Sequence, residues 1–164
     1  MTSLLSRLAA GGALIAALGA GVAPIANAAP APAAANCTEG NSLKDVFHSA
    51  DKGGIGVVFN YNCKVEGSVR EVAYLPAGEK PGPVSGEGKL TVKGKAFIRV
   101  SVDGINVTQN PYTGPSHIPG EGAVQEIVYA GTSCGQSTWY IGVDKKRDFV
   151  KTVKGKTVNV TVKV

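Results

Sequence analysis

The chain has 164 residues with 17 basic and 12 acidic side chains, a formal net charge of +5, three cysteines, two histidines and 6% aromatic residues. That length suits one ordinary domain, and the lack of any Cys-x-x-Cys or paired-His spacing argues against a zinc site. The charge surplus falls in Asp144–Val164, with seven basic residues against two acidic ones; a single aromatic, Phe149, lies within it, too few to interleave with the charge, which sets nucleic acid aside as a partner.

Arg7 precedes an apolar run of Ala, Leu, Gly, Ile and Val from Leu8 to Ile25, and Ala26-Asn27-Ala28 follows with small residues at its first and third places. This order predicts a signal peptide over 1–28, cleaved after Ala28. Glycines and Pro24 interrupt the run, so a retained spanning helix is not expected. Residues 29–36, Ala-Pro-Ala-Pro-Ala-Ala-Ala-Asn, read as a disordered leader without core-forming side chains. Residues 37–164 then form a single β-rich domain, secreted and either extracellular or associated with the cell wall.

Ser42, with Asp45 three residues on and Leu43, Val46 and Phe47 spaced by three and four, predicts one short helix to about Ala50, ended by Gly53-Gly54. The period then changes to two. Ile55, Val57, Phe59, Tyr61 and Cys63 share one face, and a β-branched run follows from Val65 to Leu75. Lys89–Lys93 is a short candidate strand. Ala96, Ile98, Val100 and Val102 line one face of the next, and Ala123–Ala130, Thr138–Val143 and Phe149–Val153 follow. Val158, Val160, Val162 and Val164 alternate with Thr157, Asn159, Thr161 and Lys163. About eight strands with one-sided alternation predict an all-β fold, an antiparallel β-sandwich of immunoglobulin-like or related type, with a closed β-barrel as second choice. Two proline- and glycine-rich loops, 76–88 and 103–122, break the pattern, and the second is a candidate binding loop.

Outside the cytosol thiols oxidise, and three cysteines allow one bridge with one left over. Cys63–Cys134 is the first choice because it joins distant parts of the chain; Cys37–Cys63, which would tie down the N-terminus, is the alternative.

Chemistry is thinly supplied. His117 follows Ser116, but adjacency in a chain is not a triad. The glutamates show no pairing of the kind glycoside cleavage needs, and no phosphate-cradling loop is present. No cofactor, metal or catalytic residue is expected. The reading is a non-catalytic exported binding module whose partner is a cell-wall polymer or an extracellular protein. Its candidate binding residues are Tyr112, His117, Trp139 and Tyr140 with the basic cluster Lys145, Lys146 and Arg147. Trp139 is the better fit to the core. The alternatives are a small secreted hydrolase using His117 with Ser116 or Cys134, and a self-associating surface protein.

Overall fold

The computed structural model describes residues 37–108 and 111–164. The expected signal peptide (1–28) and leader (29–36) lie outside these residues.

Two antiparallel sheets form a β-sandwich. A single 3-10 turn, Cys37–Glu39, precedes nine strands among the described residues: β1 (Leu43–Asp51), β2 (Gly54–Tyr61), β3 (Val69–Tyr74), β4 (Ala96–Val102), β5 (His117–Pro119), β6 (Val124–Ser133), β7 (Gln136–Val143), β8 (Phe149–Lys154) and β9 (Thr157–Val162). One sheet has the order β1-β2-β9-β8 and the other β3-β4-β7-β6-β5. The sheets do not close on one another, so the barrel alternative is set aside.

The alternation that predicts the strands also fills the core. Val57, Phe59 and Tyr61 of β2 and Val158, Val160 and Val162 of β9 face Ile98, Val100 and Val102 of β4 and Trp139, Ile141 and Val143 of β7, all buried. Phe59 meets Trp139 edge-on at 5.8 Å, a preferred aromatic geometry. Burying one such side chain contributes about 1.5–3 kcal/mol.

The expected helix over 42–50 is instead β1. The ladder with β2 shifts register between Leu43 and Asp45. This irregularity turns both Leu43 and Val46 inward, although they lie three residues apart. A register shift in a strand therefore mimics the helical spacing. Ser42 does not cap a helix either: its hydroxyl accepts a hydrogen bond from Asn62 Nδ2 at 2.8 Å.

The disulfide joins Cys37 to Cys63, which corrects the first choice of Cys63–Cys134. Cys134 sits at the tip of the β6–β7 hairpin, exposed and unbonded to another cysteine. With Gly135 it makes a two-residue turn in which both residues have positive φ, 50° and 75°. Positive φ at both central positions is what a type I′ hairpin turn requires.

The segment between β3 and β4 is no free loop. It crosses the outer face of the five-stranded sheet, where Val84 N–H donates to Ala130 O (3.0 Å) and Lys93 N–H donates to Glu126 Oε2 (2.8 Å). Lys89–Lys93 therefore packs against a sheet face without joining a ladder. Gly142 permits the approach, because a Cβ there would collide with the Lys93 carbonyl oxygen. Val128, Ala130 and Tyr140 are buried outside the main core cluster, and their register places Val128 opposite Tyr140.

Candidate functional site

Tyr74 ends β3 and pairs with Ile98 of β4. Its hydroxyl donates to Arg147 O at 2.8 Å and accepts from Arg147 N–H at 3.0 Å. One side chain thus ties the turn between β7 and β8 to the end of the edge strand β3. The turn is closed again from within: the Arg147 guanidinium forks onto Asp144 through two bonds of 2.8 Å. Hydrogen bonding to Arg147 pulls the Asp144 carboxyl down to about 2.

This turn carries its neighbours onto the Tyr74 ring. Phe149 lies edge-on at 5.5 Å, and Lys146 Nζ stands 5.5 Å from the ring centroid, within cation–π range. A hollow opens on each side of Tyr74. One, about 780 Å³, is lined by Arg147, Phe149 and Lys163. The other, about 380 Å³, is lined by Phe97, Lys95 and Lys145. Tyr74 and Lys146 border both. Arg147 is engaged by Asp144, whereas Lys95, Lys145, Lys146 and Lys163 hold no ion pair among the described residues. The result is a groove with more cations than carboxylates, in which Lys95, Lys145, Lys146, Arg147 and Lys163 stand with Asp148 and Glu79 beside Phe97, Tyr74 and Phe149. Phe149 belongs to the basic segment itself, and Tyr74 and Phe97 are brought to it from β3 and β4.

Residues 57–164 match the AMIN-like domain. The chain belongs to the AMIN-like domain family. The matched residues begin within β2 and take in the whole groove. The family is a non-catalytic, binding-type one associated with the cell wall and typically periplasmic or extracellular. No curated protein and no solved structure matches the chain.

Within this AMIN-like domain the binding residues expected from sequence fall in several places. Lys145, Lys146 and Arg147 come together at the groove. Trp139 is fully buried, so it offers no stacking face. Tyr112 packs edge-on against Trp139 at 5.4 Å and Tyr129 at 6.2 Å, half-buried over the end of the core. Tyr140 is buried on the outer face of the five-stranded sheet. His117 lies on β5 with Nδ1 3.4 Å from Glu126 Oε1, so an acid does face the imidazole. No hydrogen bond joins that ring to Ser116 or Cys134 among the described residues, and the Glu126 carboxylate also accepts from Lys93 N–H. A His–acid pair without an attached nucleophile does not make the hydrolase constellation. No group of three or more His, Cys, Asp or Glu side chains could hold a metal among the described residues.

Tyr74, Phe97 and Phe149 are the groove residues that sequence reasoning misses. Each reads there only as a strand residue, because partners such as Tyr74 and Arg147 are 73 positions apart in the chain.

Proposed function

We propose that this AMIN-like protein is exported by cleavage of its first 28 residues and binds an anionic cell-wall polymer through the groove around Tyr74. The observation that carries this reading is Lys146 standing over Tyr74 between two hollows that hold three further unpaired lysines. Unpaired lysines at a surface attract a polyanion, and the interleaved rings give a sugar unit flat apolar faces to stack on. The Tyr74–Arg147 bonds hold the groove in shape before a ligand arrives, which lowers the ordering cost of binding.

Co-sedimentation of the purified protein with insoluble wall material across a salt series tests the reading. Exposed charges are screened beyond about 10 Å at 0.1 M salt and beyond about 3 Å at 1 M. Retention at low salt that fades as salt rises is the expected result. Retention unchanged by salt points instead to an extracellular protein or an uncharged ligand, and no retention at low salt rejects wall binding.

A further inference from the structure

We infer that the outer face of the five-stranded sheet carries a second binding site, a polar cleft that takes a neutral, hydroxyl-rich saccharide. The cleft encloses about 620 Å³, within the range of about 300–1,000 Å³ of small-ligand sites. Gly82–Val84 of the crossing segment wall one side, and the floor is built from outward-facing side chains of β3, β4 and β7. Glu71 pairs with Ser101, and Ser101 with Thr138, so these three lie in one row across the strands; Arg99 and Tyr140 lie opposite one another in the next.

The charge state of the floor separates it from the lysine groove. Arg99 forks onto Glu71 at 2.8 and 3.0 Å and lies 3.6 Å from Glu79. Arg70 lies 3.6 Å from Asp103. Each cation here already has a carboxylate, so an anionic ligand gains little. What the cleft offers is fixed donors and acceptors side by side: the planar Arg99–Glu71 pair and the Gln136 amide, itself held by Asp103 at 2.9 Å, above the buried Ser101 and Thr138 hydroxyls, which bond to each other at 3.2 Å. Adjacent hydroxyls on a sugar ring both donate and accept, which suits such a surface.

Cys134 lines the rim of this cleft and is exposed, so its alkylation reports whether the cleft is filled. The test measures the rate of Cys134 modification by a small maleimide in 0.5 M salt, with and without saturating cellotetraose or chitotetraose. The site predicts at least a threefold slowing by one of these sugars. Glu71→Gln and Gln136→Ala should abolish the slowing while circular dichroism melts remain cooperative. Lys146→Glu, in the lysine groove and not among the residues lining the cleft, should keep it, so the outcome is separate from that of the wall-binding reading. An unchanged rate with both sugars, or equal slowing in the Glu71 and Gln136 variants, overturns the proposal.

Discussion

The Tyr74 hydroxyl exchanges two hydrogen bonds with the backbone of Arg147, 73 residues away in the chain. The end of β3 and the β7–β8 turn are thereby fixed to each other, and the lysines of that turn acquire an aromatic floor. Tyr74→Phe keeps the ring and removes both bonds. Each hydrogen bond of this kind contributes about 0.5–1.5 kcal/mol, so the variant should lose about 1–2 kcal/mol by urea denaturation. Its wall retention should fall as well, because Lys146 is no longer held over the ring.

The Asp144–Arg147 fork makes a statement about pH. The Asp144 carboxyl is depressed to about 2 from 3.8. A carboxyl held low in the folded chain supports the fold fully above its unfolded value, and that support is lost as pH falls toward about 2. The turn therefore keeps this pair through the ordinary carboxylate range. An NMR titration of the Asp144 carboxyl should give a midpoint near 2, returning toward 3.8 in Arg147→Ala.

Cys37 and Cys63 are 26 positions apart in sequence with their Cα atoms 5.7 Å apart. Closing a loop of that length stabilises by about 3.5 kcal/mol in the chain-entropy description. The Cys37→Ala/Cys63→Ala variant should be weaker by about that amount in urea. The loss should fall on the N-terminal segment and β1, seen as faster amide exchange there than in β4 and β7.

Cys134 pays a conformational cost at φ 50°, of order 1–2 kcal/mol for an ordinary L residue in the left-handed region. Asn tolerates that region better. Cys134→Asn should therefore raise stability by about 0.5–1 kcal/mol, read as a higher urea midpoint. A loss of stability would mean that the thiol makes a contact worth more than the backbone strain.

The sequence made the core strands legible because their side-chain period is uninterrupted. Ile55–Cys63, Ala96–Val102 and Thr157–Val162 each present one apolar face, and the sheets bury those faces. β1 carries the spacing of a helix in its sequence because its register shift places Leu43 and Val46 on one side. Lys89–Lys93 alternates like a strand, yet it serves as a cover, since β4 is already paired on both sides by β3 and β7. The basic part of the groove was visible as Lys145, Lys146 and Arg147. Its aromatic part was not, because Tyr74 and Phe97 reach it through sheet pairing and not through proximity in the chain. Tyr140 and Trp139 lie on opposite faces of β7, as alternation requires, but the crossing segment buries the outer face as the second sheet buries the inner one.

The most direct measurement of the central claim is low-salt co-sedimentation with wall material of the unaltered protein beside Lys146→Glu and Lys163→Glu, all three matched for thermal melting. The account predicts that each reversal of charge lowers retention at least several-fold and flattens its dependence on salt. Retention by both variants equal to that of the unaltered protein would contradict the groove as the wall-binding surface.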